Sequence, residues 1–235
     1  MKLTEAVFAV FHESFISSDP KHKNSTEVQC PICLCSLTRE DVVNKGGCVD
    51  HIIPQSAINE DGDIIKQEIA RNERTGLALL CRRPRKTVND KKADQGCNGL
   101  KGSLYDTLFA GFLETKQFSA QDLKIKHQVA ILVMAYLGAF QNWGYSYILR
   151  SELDEIREQF DNPGKIVSKW TSSVQFETAP NKIVPITPGK GQPFFFYEDA
   201  NDLVVIFRRF LARLPGKPKN SVRVGNPYGL LPAKI

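Results

Sequence analysis

The residues best suited to chemistry lie in three short stretches near the start of the chain. The stretch CPIC contains Cys30 and Cys33, GCVDHIIP contains Asp50 followed directly by His51, and GCNGLK contains Asn98. A CxxC pair can place two thiolates on one tetrahedral zinc. Adjacent side chains of a strand point to opposite faces, so the acid and the imidazole would reach different surroundings. A lone histidine is most often a hydrogen-bonded structural residue, and the neighbouring motifs are what make this pair a candidate site.

The six cysteines all fall within the first 97 residues, in a chain whose N-terminus lacks the features of a signal peptide. Such clustering around a CxxC indicates a metal in a reducing, cytoplasmic compartment rather than disulfides. We predict that Cys30 and Cys33 bind Zn²⁺ together with Cys81 and Cys97, which the intervening residues could bring together by looping out. Cys35 and Cys48 remain as spares, and Cys48 could replace one of the four. The alternative is a chance or redox CxxC with the other cysteines buried as thiols.

The order CxxC, DHIIP, Cys, Cys-Asn, Lys resembles the HNH (His-Asn-His, ββα-metal) endonucleases. The stretch VDHIIPQS is especially similar to the HNH domain of RNA-guided CRISPR nucleases, and the resemblance covers about residues 28–113. It implies that Asp50 and Asn98 hold one Mg²⁺ or Mn²⁺, that His51 is the general base, and that Asn72 corresponds to the middle Asn of the family. Oxygen ligands suit such a hard cation, and a neutral histidine can accept the proton of the attacking water.

The chain departs from the family pattern in two ways. Fifteen residues separate Cys81 from Cys97, where the family has a CxxC, and no histidine lies between His51 and His127. The long insertion is basic, and we predict that it grips a nucleic-acid backbone in a salt-sensitive way. The predicted contacts are Arg82, Arg83, Arg85, Lys86, Lys91, Lys92 and Lys101. The alternative is a solvated loop without a binding role.

Composition permits this interpretation without proving it. The chain has 235 residues, 42% hydrophobic and 24% charged, with a net charge of +5. These values exclude wholesale disorder and allow nucleic-acid binding. The most apolar run, VAILVMAYLGAF, is too short to span a bilayer, so no membrane association is predicted.

The elements needed to position the site follow from local patterns. Apolar spacing predicts an N-terminal helix, CVDHII and GLALLC read as short strands, and CNGLKG begins a helix. Helices are expected up to Phe160 and strands beyond it, with DLVVIFRRFLARL either strand or helix. The predicted fold class is α+β. A helix and linker (1–27) precede a zinc-stapled, treble-clef-like ββα-metal HNH domain (28–118), and a helical plus β-strand domain for target or partner recognition follows (119–235).

The expected function is a metal-dependent endonuclease acting on DNA, with RNA as a further substrate class. Such a protein fits restriction or anti-phage defence, in which an ATPase or sensor protein is a candidate partner. Two alternatives remain open: a zinc-finger-like binding module without activity, and a toxin nuclease acting on RNA or DNA.

Overall fold

The N-terminal helix α1 (Leu3–Ser18) buries one apolar face. It packs against two short helices (Arg39–Val43 and Tyr145–Ile148) and a short strand (Glu27–Gln29). The helix predicted from apolar spacing is confirmed. The computed structural model describes the following parts of the chain: residues 1–44, 48–58, 75–84, 95–113, 123–160, 174–176, 194–207 and 210–216, with positions 218 and 224.

Two short antiparallel strand pairs follow. Strands β1 (Glu27–Gln29) and β2 (Ser36–Thr38) form a hairpin whose turn contains the first three cysteines, and helix α2 (Arg39–Val43) begins directly after it. Strands β3 (Val49–His51) and β4 (Leu77–Leu79) pair so that residue 50 faces residue 78. Both strands predicted for this region are confirmed.

A helical stretch then begins at the predicted Gly-Cys-Asn. Helix α3 (Gly96–Leu100) continues through a π-helical segment (Lys101–Asp106) into helix α4 (Thr107–Leu113). The wider hydrogen-bonding of a π-helix rotates the residues that follow it, and such segments occur frequently at functional sites.

The centre of the molecule is helix α5 (Ile125–Trp143), which is buried continuously from Val129 to Trp143. It packs against β4 and α4 and also against β7 and β8 of the C-terminal sheet. Helices α6 (Tyr145–Ile148) and α7 (Asp154–Gln159) complete the predicted helical region. Among the described residues, no helix combines the length and the apolar character that a membrane crossing requires.

A four-stranded antiparallel sheet covers α5. Its strands are β5 (Val174–Phe176), β6 (Phe195–Asp199), β7 (Asp202–Phe207) and β8 (Phe210–Pro215), in the order β5-β8-β7-β6. The stretch DLVVIFRRFLARL, which the sequence left as strand or helix, is the pair β7 and β8. The chain is therefore of the α+β class.

Helix α5 ties the cysteine turn to the rest of the core. The Tyr136 hydroxyl donates to the carbonyl oxygen of Pro31 over 2.6 Å, and the Tyr145 hydroxyl donates to the carbonyl oxygen of Gln29. Both tyrosine side chains are completely buried. Because a buried hydroxyl without a partner is costly, the first bond fixes the turn to α5 and the second fixes the end of β1 to α6.

Candidate functional site

The first three cysteines share a closed turn. The Cys30 amide donates to the Cys35 carbonyl oxygen over 2.9 Å, and the Leu34 amide donates to the Cys30 carbonyl oxygen over 2.9 Å. Leu34 adopts a left-handed conformation with φ of 57°, which turns the chain back within one residue. The Sγ atoms of Cys33 and Cys35 consequently lie 3.2 Å apart.

Cys81 and Cys97 reach this turn from the strand pair and from the helix that follows it. The Cys81 amide donates to Cys30 Sγ over 3.4 Å, so the end of β4 lies against the turn. The Asn98 amide donates to the Cys81 carbonyl oxygen over 2.9 Å, which brings the start of α3, and with it Cys97, to the same place. Residues far apart in the chain thus converge on one buried cluster.

The cysteine sulfurs form two groups that share one member. Cys30, Cys33 and Cys97 make one group, and Cys33, Cys35 and Cys81 make the other, with all sulfurs within 4.8 Å of one another in each. A tetrahedral zinc with bonds of about 2.3 Å separates its sulfur ligands by about 3.8 Å, so either group fits three corners of such a site. These cysteines could therefore hold a metal ion such as zinc.

The crowding of the thiols shifts their pKa values in opposite directions. Contacts with the Cys30 and Cys33 side chains raise the pKa of Cys97 and of Cys35, whereas hydrogen bonds from Cys30 and Cys35 lower the pKa of Cys33 far below its usual range. Metal binding requires deprotonated thiols, so a zinc ion at this cluster would replace the protons that the thiols share.

The predicted zinc ligands are brought together, although not as an isolated set of four. Cys81 groups with Cys33 and with Cys35, a residue that the sequence left as a spare. Cys48, the suggested replacement, belongs to neither group among the described residues, and burial raises its pKa to about 11. A CxC spacing gave no distinct zinc signal beside the CxxC, so Cys35 was missed.

Gly96 makes this convergence possible, and replacing it by alanine should destabilise the protein by about 2–5 kcal/mol. Its φ is +60°, and an added Cβ would lie 2.6–2.7 Å from backbone atoms of Arg82 and Cys81. These backbone atoms cannot make room for a Cβ unless Cys97 moves away from the cluster. Urea unfolding with zinc quantification measures the effect.

Gly102→Ala is the matched control, because a Cβ at Gly102 meets nothing within 4 Å. In a helical segment this change should be neutral or stabilising by about 0.5–1 kcal/mol. Equal stability and equal zinc content of Gly96→Ala and Gly102→Ala would show that the close approach to the backbone of Arg82 and Cys81 does not require glycine at position 96.

The second candidate site lies on β3, beside the start of the helical stretch. Lys101 places its ammonium 2.9 Å from Asp50 Oδ2 and 2.6 Å from Asp106 Oδ1, and it donates to the His51 carbonyl oxygen over 2.7 Å. Lys101 is completely buried. Asp50 Oδ2 is buried, and among the described residues its partner is the ammonium of Lys101.

The burial of Lys101 corrects one expectation. We expected it among the basic residues that contact nucleic acid, but a side chain with no exposed surface and two carboxylate neighbours does not belong to a basic surface. Asp106, its partner, was not identified from the sequence. Burial raises the pKa of Asp106 to about 6.

The imidazole of His51 is held from both sides. Its Nδ1 lies 2.6 Å from Thr75 Oγ1, and its Nε2 contacts the side-chain amide nitrogen of Gln55. Asn98 follows Cys97 in α3 and is half-buried, one helical turn before Lys101. Residues three apart in a helix share a face, so Asn98 lies on the side of α3 that faces β3.

The remaining predicted residues are only partly described. Arg82 is exposed, and Arg83 is exposed with its guanidinium paired to Asp41. The following predicted residues lie outside the described parts of the chain: Asn72, Arg85, Lys86, Lys91 and Lys92.

No family model, no curated protein and no solved structure matches this chain.

Proposed function

We propose that the chain is a metal-dependent HNH endonuclease that hydrolyses phosphodiester bonds in nucleic acid, with DNA as the expected substrate. The observation that carries this proposal is the docking of α3 onto β3 through Lys101, 2.9 Å from Asp50 Oδ2 and 2.7 Å from the His51 carbonyl oxygen. This docking brings the helix face that carries Asn98 to the strand that carries Asp50 and His51, in the order strand, strand, helix.

The donor set at this place suits a hard cation. Asp50 offers a carboxylate, one oxygen of which forms an ion pair with Lys101, and Asn98 offers an amide oxygen. Mg²⁺ prefers a few such oxygens and keeps several waters. When bound by Asp50 and Asn98, the metal would stabilise the charge that develops on the phosphate and on its leaving oxygen.

The residues of the chain supply the remaining steps. His51 accepts a proton from water, the water oxygen bonds to phosphorus, and the bond from phosphorus to the leaving oxygen breaks. Asp50 and His51 leave β3 on opposite faces, so one side chain can hold the metal while the other reaches the water. Lys101 adds a buried positive charge beside Asp50.

The cysteine cluster would supply the structural part of this proposal. Four of the five clustered cysteines would bind one Zn²⁺ and fasten the start of α3 to the end of β4. Arg82 and the neighbouring basic insertion would contact the nucleic-acid backbone. A role in restriction or anti-phage defence, with an ATPase or sensor partner, is compatible with such a nuclease.

Cleavage of supercoiled plasmid by zinc-loaded protein tests the proposal. We expect nicking with Mg²⁺ or Mn²⁺ that stops when EDTA is present, and a rate about 10²–10⁴-fold lower for His51→Ala, the usual contribution of a general base. His12→Ala is the matched control, because His12 lies on α1 and its Nε2 contacts the Ser25 carbonyl oxygen. Zinc content is measured in every sample to separate chelation of the structural metal from loss of the catalytic one.

A nucleic-acid-binding module without activity is the second candidate. One observation favours it: the His51 ring nitrogens and the Asp50 carboxylate all have partners within the protein. Retention of DNA by zinc-loaded protein, without cleavage of plasmid, single-stranded DNA or RNA, would support the module and contradict the nuclease. Undiminished cleavage by His51→Ala would contradict the assigned base.

A further inference from the structure

The two nitrogens of the His51 ring have unequal partners. Thr75, which contacts Nδ1, is completely buried. Its carbonyl oxygen accepts a hydrogen bond from the Ile53 amide over 2.9 Å, and the next carbonyl, of Gly76, accepts one from the Ile52 amide over 3.1 Å. The Thr75 hydroxyl is therefore held by the same backbone pairing that continues the β3–β4 ladder.

Gln55, which contacts Nε2, is a different kind of partner. It begins a short 3₁₀ turn (Gln55–Ile58) four residues after His51, and it is only half-buried. A glutamine side chain has three rotatable bonds, so it can leave the imidazole without any change in the backbone. The half-buried side of the ring is thus the side on which a water molecule can replace a protein group.

The orientation of the Gln55 amide decides which tautomer of His51 is present. In the structure the amide nitrogen of Gln55 faces Nε2, and because this nitrogen only donates, the contact in this orientation requires a lone pair on Nε2 of His51. A neutral imidazole carries its single proton on the other nitrogen, which makes Nδ1 the donor to Thr75 Oγ1. The base thereby presents its lone pair toward the accessible side.

We propose, on the basis of the nuclease function above, that Thr75 is the positioning residue of the general base and that Gln55 covers its basic nitrogen until substrate arrives. In the reaction the attacking water displaces the Gln55 amide and gives its proton to Nε2, while its oxygen bonds to phosphorus. The resulting imidazolium keeps its Nδ1–H bond to Thr75, which holds the ring in place while the phosphorus–oxygen bond to the leaving group breaks.

The first test is the tautomer of His51, read from ¹⁵N chemical shifts without substrate or added magnesium. The chain has four histidines, so the loss of one signal set in His51→Ala assigns the residue. We expect the Nδ1–H form in the wild type, its retention in Thr75→Ser, and a mixture or the Nε2–H form in Thr75→Val. An Nε2–H form in the wild type would overturn the proposal.

The second test is kinetic. Thr75→Val should lower kcat about 10–100-fold with little change in KM, because a misplaced base loses that much without weakening substrate binding, and Thr75→Ser should restore most of it. Gln55→Ala should raise kcat/KM by about 2–10-fold, since one hydrogen bond of ordinary strength no longer has to be displaced. Unchanged kcat in Thr75→Val would overturn the role of Thr75.

Gln55→Glu provides a test that does not depend on the folding of a buried variant. A carboxylate at this half-buried position accepts a hydrogen bond from an Nε2–H group and so favours the ring forms that have no lone pair on Nε2, and kcat should fall at least about 10-fold. Full activity of Gln55→Glu would overturn the role of Gln55. Because the tautomer is read without substrate, a wrong tautomer with normal cleavage overturns this inference alone, whereas the expected tautomer without cleavage overturns the nuclease proposal.

Discussion

Replacing Cys33 by serine is expected to abolish zinc binding and to unfold the region around the strand pair. Cys33 is common to both groups of clustered sulfurs, so neither group can replace it. The free energy of zinc binding to structural sites is on the order of 10–16 kcal/mol, and it is available only while the ligands are held by the fold. A loss of this size exceeds the net stability of most domains.

The same experiment identifies the ligand set when the other cysteines are compared. Loss of zinc in Cys97→Ser with retention in Cys35→Ser indicates that the metal lies among Cys30, Cys33 and Cys97, completed by Cys81. Loss of zinc in Cys35→Ser with retention in Cys97→Ser indicates instead that the metal lies in the group of Cys33, Cys35 and Cys81. Metal content is measured by mass spectrometry, and folding is followed by far-ultraviolet circular dichroism.

Cys48→Ser is the matched control for a buried cysteine outside both groups. It should retain zinc in full and lose no more than the modest stability that a buried sulfur-to-oxygen change costs. Full zinc content in Cys33→Ser would contradict the assignment of the cluster as a metal site.

The elements of the candidate site could be predicted from local sequence. The short apolar runs CVDHII and GLALLC predict β3 and β4, and the sequence Gly-Cys-Asn predicts the start of α3. These signals depend only on a few neighbouring residues, so they can be recognised without the tertiary structure. The convergence of Cys81 with Cys97 was predictable for another reason: a tetrahedral zinc site needs two further ligands in addition to the two cysteines of CxxC.

The internal contacts of the site were not predictable in this way. Lys101 reads as a surface lysine in a basic stretch, and only the tertiary placement of Asp50 and Asp106 shows that it is buried. Thr75 reaches His51 across 24 positions of sequence, and no local pattern indicates that contact. The strand pair β7 and β8 was ambiguous because a short apolar run such as LVVIF suits a buried strand and a buried helix equally.

Replacing Lys101 by methionine is expected to destabilise the protein by about 3–5 kcal/mol at pH 7, because it leaves two carboxylates in the interior without their shared counter-ion. The side chains of Asp50 and Asp106 are only 20% and 22% exposed, and Lys101 itself has no exposed surface. Methionine retains most of the volume and removes the charge and its hydrogen bonds. Urea unfolding of zinc-loaded protein without added magnesium measures the loss.

The stability lost in Lys101→Met should depend on pH, and the pKa of Asp106 determines whether the loss grows or shrinks as the pH rises. Burial raises the pKa of Asp106 from 3.8 to about 6, Lys101 lowers it, and the charge of Asp50 raises it. An acid whose pKa is higher in the folded state takes up a proton on folding, so its contribution to stability increases as the pH falls from about 6 toward about 4. Without Lys101 the pKa of Asp106 rises further. In Lys101→Met, Asp106 therefore becomes protonated at a higher pH than in the wild type, and its buried charge is removed there.

The difference in stability between wild type and Lys101→Met should therefore be largest near pH 8 and smaller near pH 5.5. The protonation of the cysteine ligands affects both proteins alike and cancels in this difference. Asp106→Asn in the Lys101→Met background removes one of the two unpaired carboxylates, and it should recover part of the stability and flatten the pH dependence. A loss of the same size at both pH values would show that missing packing, rather than the unpaired carboxylates, destabilises the variant.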